Sequence, residues 1–298
     1  MTRRSKLSRL KCPLLFLLFL IIILQGLNLQ ASKIRPTGHL FIIGGGDRPE
    51  AMMRRFVELA SQSGSGKIIV LPIASATPDE TGQGLVEEFR RLGAKDVSYY
   101  NFTRQQAEKT ESAALLNRAG GIFFSGGVQT RITESILDTP VHRKILELYS
   151  QGAIIGGTSA GAAVMSELMI TGDEVRKVEE GHEFETIEAR NIVLARGLGL
   201  VKRAIIDQHF ATRKRHNRLI SVIAEHPDLL GVGIDESTAI IVYPDETFEV
   251  IGNKNVIVYD ASRAKIIISQ SKAIGIRGMI THILLPGERF SLIKKQLI

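Results

Sequence analysis

The sequence predicts an α/β fold: a mostly parallel sheet with helices on both faces, extended at its C-terminus by antiparallel strands. Three observations predict it. Short β-branched runs alternate with segments of helical spacing from Leu40 to Thr158. Two of the early runs end in glycine loops, Gly44-Gly45-Gly46 and Ser125-Gly126-Gly127, at the ends where such sheets place ligands. From Thr238 onward the helical spacing stops, and strand runs follow one another through short turns.

Taken in order, Leu40 to Ile43 is a short apolar strand, and Glu50 to Ser61 is a helix by the spacing of Met53, Phe56, Val57 and Ala60. Lys67 to Ile73 reads as a buried strand, Gly84 to Leu92 as a helix and Asp96 to Tyr100 as a strand. Gly121 to Phe124 is a strand, and Thr130 to Asp138 and Val141 to Gln151 are helices. Ile154 and Ile155 lead into a sharp turn and a helix rich in small residues. Glu174 to Arg196 is charged and glycine-punctuated, and is expected to be an irregular excursion over the site. Ala204 to Gln208 is a strand, followed by a basic helix through Arg218, Leu219, Val222 and Ile223. Gly231 to Ile234 is a strand ending at Asp235-Glu236. Ile240 to Tyr243, Phe248 to Ile251 and Val256 to Tyr259 are strands joined by Pro244-Asp245 and Gly252-Asn253 turns, hence antiparallel.

The 298 residues divide into a leader and one domain. Met1 to Pro13 holds five basic residues and no acid, Leu14 to Leu24 is unbroken apolar, and Ala31 is a cleavage point. Residues 1–31 are therefore expected to be an export signal, or an uncleaved anchor because Leu29 suits cleavage poorly, with one α/β domain over 32–298. The formal charge of +7 includes those five basic residues, leaving +2 for the remainder. That is too small a surplus for a nucleic-acid-binding surface, and any membrane contact is expected through an uncleaved leader alone. Cys12 is the only cysteine and lies in the leader. The domain after it thus has no disulfide, thiol nucleophile or cysteine-ligated metal.

Chemistry is concentrated at Gly157-Thr158-Ser159-Ala160-Gly161. A serine at a glycine-flanked strand-to-helix bend is the pattern of a nucleophile elbow, exposing its hydroxyl beside helix amides that can stabilise an oxyanion. The amide of Ala160 is one expected donor, and Gly127, in the Gly126-Gly127 loop, is the other. Of seven histidines, His209 alone follows an apolar strand at its C-terminal end, expected on the same sheet edge as Ser159. It is the candidate general base. His39, His142, His182, His216, His226 and His282 read as structural or exposed. The acid that fixes the imidazole tautomer is Asp235 or Glu236, between which the residues themselves do not choose. The order serine, histidine, acid departs from that of α/β-hydrolases and argues for a separate triad on a flavodoxin-like sheet.

Gly156-Gly157-Thr158-Ser159-Ala160-Gly161-Ala162, Phe124-Ser125-Gly126-Gly127-Val128-Gln129 and Asp207-Gln208-His209-Phe210 followed by Arg213, Arg215 and Arg218 resemble the cyanophycinase family of serine peptidases. Gly233-Ile234-Asp235-Glu236 followed by Thr238-Ala239 fits the same pattern. The resemblance implies Ser159 as nucleophile, His209 as base and Glu236 as acid. It implies a substrate pocket of Gln129, Asp207, Gln208, Arg213, Arg215 and Arg218. It also implies hydrolysis of cyanophycin, a poly-aspartate with arginine on each side-chain carboxyl, to β-Asp-Arg dipeptides, with no metal or cofactor and commonly as a homodimer. Arginine forks suit a substrate carboxylate, and Asp207 would suit the substrate's arginine. Related peptidases with this elbow cleave Asp-X dipeptides, so an α-aspartyl dipeptidase is the second reading and a non-catalytic exported binding protein the third. Where many members carry a Gly-Gly-x-Glu-like run, this chain has Gly44-Gly45-Gly46-Asp47-Arg48-Pro49-Glu50, a loop that is either structural or part of the pocket wall.

Overall fold

The computed structural model describes residues 36–179 and 181–298. The leader expected at 1–31 lies outside the described residues. The first half alternates as the hydrophobic pattern requires: β1 (His39–Ile43), α1 (Glu50–Gln62), β2 (Lys67–Leu71), α2 (Pro78–Arg91), β3 (Val97–Tyr99), α3 (Arg104–Ala107), α4 (Thr110–Ala114), β4 (Ala119–Phe124), α5 (Gln129–Ile136), α6 (Pro140–Ser150), β5 (Ile154–Thr158) and α7 (Ala160–Ala163). The second half runs β6 (Leu168–Glu174), β7 (Ile192–Arg196), β8 (Ala204–Gln208), α8 (His216–Glu225), β9 (Leu230–Ile234), β10 (Thr238–Val242), β11 (Thr247–Gly252) and β12 (Val256–Asp260). It ends with β13 (Lys265–Ile268), β14 (Ile274–Arg277), β15 (Ile280–Leu284), β16 (Arg289–Ser291) and β17 (Gln296–Leu297).

The large sheet has the order β17-β16-β11-β10-β1-β5-β4-β2-β3. Its strands β1, β5, β4, β2 and β3 are parallel, and β10, β11, β16 and β17 add antiparallel pairs beyond β1. Numbered from β2, the parallel part follows the flavodoxin order 2-1-3-4-5, with β1 in the fifth place. Side chains alternate between two cores. Phe41, Ile43, Ile68, Val70 and Phe123 pack under α1 and α2, whereas Leu40, Ile42, Ile69, Leu71 and Phe124 pack under α5 and α6.

One expectation is corrected here. The strands before His209 and Asp235 do not belong to the sheet of Ser159. β8 and β9 pair in parallel in a second sheet of order β15-β12-β9-β8. Ala204, Ile206, Val232 and Val256 face the core that the large sheet shares with α5 and α6, and Ile205 and Ile257 face α8. Strand periodicity reports which face is buried, not which strand is the neighbour.

Local differences have local causes. α2 begins at Pro78, one turn and more before the expected Gly84, because Gly82 and Gly84 dilute its periodicity. α3 and α4 are too short to show a period, although Thr103 and Gln106 form a capping box before the first. The segment Glu174–Arg196 is not wholly irregular, since β6 and β7 form an antiparallel hairpin at its base. The C-terminal strands are antiparallel as expected but divide between the two sheets and a separate β13–β14 hairpin. Among the described residues no helix is long and apolar enough to cross a membrane.

Candidate active site

Ser159 occupies the bend between β5 and α7 with φ 54° and ψ −110°, a conformation a non-glycine residue holds only when its surroundings over-determine it. Its amide donates to the Ile43 carbonyl at 3.0 Å, and its own carbonyl accepts from the Ala162 and Ala163 amides. The flanking glycines permit the close approach. A Cβ on Gly157 would lie 2.4 Å from the Gly161 carbonyl oxygen, and one on Gly161 would lie 2.6 Å from that of Phe124.

His209 ends β8 with φ 49°, and its amide donates to the Gly44 carbonyl at 2.6 Å. This bond ties the second sheet to the glycine loop of the first. The ring is buried, with Nε2 2.9 Å from Ser159 Oγ and Nδ1 2.6 Å from Glu236 Oε1. Nδ1–H therefore donates to Glu236, and the Nε2 lone pair accepts from the serine hydroxyl. Burial pulls the imidazole below its ordinary 6.5; the Glu236 bond opposes this, and the Arg213 and Arg215 charges add to it. A neutral ring with a free Nε2 lone pair is the form that can take the serine proton.

Asp235 and Glu236 divide their work. Glu236 meets the imidazole, while Asp235 accepts the Thr212 amide at 2.9 Å and faces Lys254 Nζ at 3.3 Å, holding the turn after His209. The Gly44–Gly46 loop is the packing surface of both His209 and Glu236. A Cβ on Gly45 would sit 2.4 Å from His209 Nε2 and Cε1, and one on Gly46 would sit 2.7 Å from Glu236 Cβ. The loop is thus a structural requirement of the site, which its departure from the family run had left open.

The expected oxyanion donors are arranged unequally. Ala160 is the first residue of α7, so its N–H has no partner within the helix. In the other loop Gly126 is the residue beside the nucleophile: a Cβ on it would lie 3.5 Å from Ser159 Cβ, whereas one on Gly127 would meet the Ala74 carbonyl oxygen at 2.0 Å. Gly126 is thus the glycine of that loop whose Cα side faces Ser159, and Gly127 is the one packed on Ala74.

The six residues assigned to a pocket behave differently from one another. Arg213 is exposed beside the triad. Arg215 is partly buried, and its guanidinium donates to the Gln208 carbonyl and Oε1 at 2.8 and 2.7 Å. Burial and the neighbouring Arg218 pull its pKa down to about 10, so it stays a cation at neutral pH. Gln129 is buried, its amide donating to the Ile170 and Thr171 carbonyls at 3.0 and 2.6 Å. Asp207 and Arg218 are both 1% exposed and closed on each other in a bidentate pair, and Phe184 lies over the guanidinium at 4.8 Å. This corrects the expectation that Asp207 is an open acceptor for a substrate's arginine: its carboxylate is occupied from within. The pair holds β8 to α8, and so places His209. Sequence reading missed this role, as well as those of Asp235 and Phe184. Among the described residues no group of three acids or histidines is gathered as for a metal ion.

The chain is similar to known peptidases. The model of Peptidase family S51 matches residues 40–251. The chain is 32% identical over 282 residues to a cyanophycinase from Trichormus variabilis, covering 92% of each. It is 34% identical over 280 residues to one from Synechococcus elongatus, covering 89% of this chain and 84% of that one. The fold resembles that of a peptidase from an acI-B1 Actinobacterium, with TM-score 0.63, 21% identity and coverage of 86% of this chain and 98% of that one. A match across both sheets, from β1 to β11, makes this chain a member of Peptidase family S51, a serine-type peptidase.

Proposed function

We propose that this peptidase hydrolyses cyanophycin to β-Asp-Arg dipeptides, with Ser159, His209 and Glu236 as its triad. The observation that carries the reading is the continuous Glu236–His209–Ser159 chain of short hydrogen bonds with the exposed Arg213 beside it. Ser159 Oγ attacks the scissile carbonyl as His209 Nε2 takes its proton. The oxyanion forms against the Ala160 and Gly126-Gly127 amides. His209 returns the proton to the leaving amine, and water then opens the acyl-enzyme by the same route. Glu236 stabilises the imidazolium in both halves. The guanidiniums of Arg213 and Arg215 suit a substrate carboxylate. The basic and apolar leader supports export, and so a polymer met outside the cell; finding the activity of the full chain outside the cytoplasm tests this.

The test is incubation of the leader-free protein with purified cyanophycin, following β-Asp-Arg by mass. The expected result is dipeptide release that falls on the order of 10⁶-fold in Ser159→Ala; near-normal release by that variant overturns the triad. One observation favours a second reading, an α-aspartyl dipeptidase. With Asp207 closed by Arg218, the site shows no open acid for an arginine on that side. Cleavage of Asp-X dipeptides without attack on the polymer would decide for it.

A further inference from the structure

A cleft of about 340 Å³ beside Ser159 is lined by side chains, Arg48 and Glu88 among them, that take no part in the chemistry described above. Its walls include Arg48, from the loop after β1, and Thr81 and Glu88, from α2; its floor is Ser125, Gly126 and Thr158. Thr158 precedes Ser159 in the chain, and a Cβ on Gly126 would lie 3.5 Å from that of Ser159, so the cleft floor adjoins the serine. It lies on the opposite face of the large sheet from Gln129. Leu85, in its wall, packs in the core under α1 and α2, whereas Ile132 and Ile136 of the Gln129 helix pack in the other core. Nucleophile and oxyanion loop thus sit between two differently built sides.

The polar groups of this side are unusual. Arg48 donates through one terminal nitrogen to Glu88 Oε2 at 2.6 Å. Its Nε is fully shielded and has no partner among the described residues, so the guanidinium's bonding rests on its terminal nitrogens, one of which meets Glu88. Glu88 accepts through Oε2 alone among the described residues. The side chains are 28% and 16% exposed. A cation and an anion, side by side and each incompletely satisfied, match a ligand group that carries both charges. Such a ligand lets each charge exchange one partner for another without being left bare, which a singly charged ligand does not.

We infer that this cleft is a subsite for a zwitterionic arginine residue of the substrate, its carboxylate on Arg48 and its guanidinium on Glu88. The inference rests on the proposed reading of Ser159 as nucleophile and of cyanophycin as substrate. In a polymer of β-Asp-Arg units the arginyl branch next to the unit being released carries both groups free. The glycine loop that packs against His209 and Glu236 also carries Arg48, so filling the cleft braces the same loop.

The test uses a peptide of two β-Asp-Arg units and two analogues altered in the unit that is not released, one with the arginine carboxylate amidated and one with citrulline for arginine. The enzyme is expected to lose about 10- to 100-fold in kcat/KM on each analogue, the range of a charged hydrogen bond. Arg48→Met should erase the penalty for amidation and keep that for citrulline; Glu88→Gln should do the reverse. Arg48→Lys, which keeps the charge without the fork, should restore part of the first preference and serves if Arg48→Met does not fold. Penalties unchanged in the variants, or equal losses on all three peptides, overturn the subsite. If the parent peptide is not cleaved at all while Asp-X dipeptides are, the cyanophycin reading fails instead. Calorimetric binding of the same three peptides to Ser159→Ala then still reports whether Arg48 and Glu88 discriminate between them.

Discussion

A histidine that is neutral at the working pH can take a proton, and a carboxylate behind it stabilises the charge once it has. His209 has both attributes for physical reasons visible around its ring. Burial holds it below 6.5 and Glu236 pulls it back up. Only the neutral form is a base, so kcat/KM should rise with pH along an acidic limb whose midpoint lies below 6.5. Glu236→Gln removes the interaction that raises the pKa, so the acidic limb should move to lower pH while kcat drops on the order of 10⁴-fold. A pH–rate profile of both proteins checks this, and a limb that moved upward would mean that Glu236 does not act on the ring. Ser159, His209 and Ser237, the last beside Glu236, all carry φ near +50°. Ser159, His209 and the residue after Glu236 thus sit in turns that a relaxed chain would avoid.

At the scale of elements, the site is built where the C-terminal ends of β1, β5, β8 and β9 meet, and the β1 glycine loop is the joint between the two sheets. Its carbonyls receive the His209 and Ser237 amides, at Gly44 and Gly45, at 2.6 and 2.9 Å. Gly45→Ala puts a methyl at the His209 ring, at a backbone φ of +108° that alanine resists. Turnover should fall by about 100-fold or more, as for a base moved by an ångström. Circular dichroism should show both sheets still formed, and wild-type turnover would remove the loop from the site. Much of this was legible in sequence. The run Ala204–Ile206 marks β8, and the G-x-S-x-G spacing marks the bend at Ser159. The separate sheet of β8 and β9 was not legible, because alternation fixes a strand's buried face and not its partner. The closure of Asp207 on Arg218 was not legible either. A helix with basic residues reads as solvated until its packing partner is known, and Arg218 turns its charge inward under Phe184.

For the molecule as a whole, the buried polar groups set how stability depends on pH. His142 shows why. Its Nδ1 accepts the Asp138 amide at 3.2 Å, and its Nε2 lies 3.0 Å from the Leu198 carbonyl. Only the neutral tautomer with the proton on Nε2 makes both bonds, so protonation breaks the first. Burial lowers the pKa of His39, His142 and His209 alike. Below 6.5 the unfolded chain therefore binds protons that the folded chain refuses, and stability falls as pH falls through the interval between 6.5 and the lowered values. The carboxylates act in the same sense lower down. For Asp235 burial alone would raise the pKa, but the Thr212 and Lys254 contacts outweigh it, and for Asp138 the Arg196 bond lowers it. Their contribution is present above 3.8 and is lost as pH drops below it. The melting temperature of the Ser159→Ala protein should therefore decline from pH 7.5 to 5 and again below about pH 4, two limbs of the same sign. His142→Gln should flatten the upper limb, because it removes one of the three groups held neutral there. An upper limb of unchanged slope in that variant would mean that the unfolded and folded chains bind His142's proton equally. The buried ring would then be a packing element with no part in the acid response.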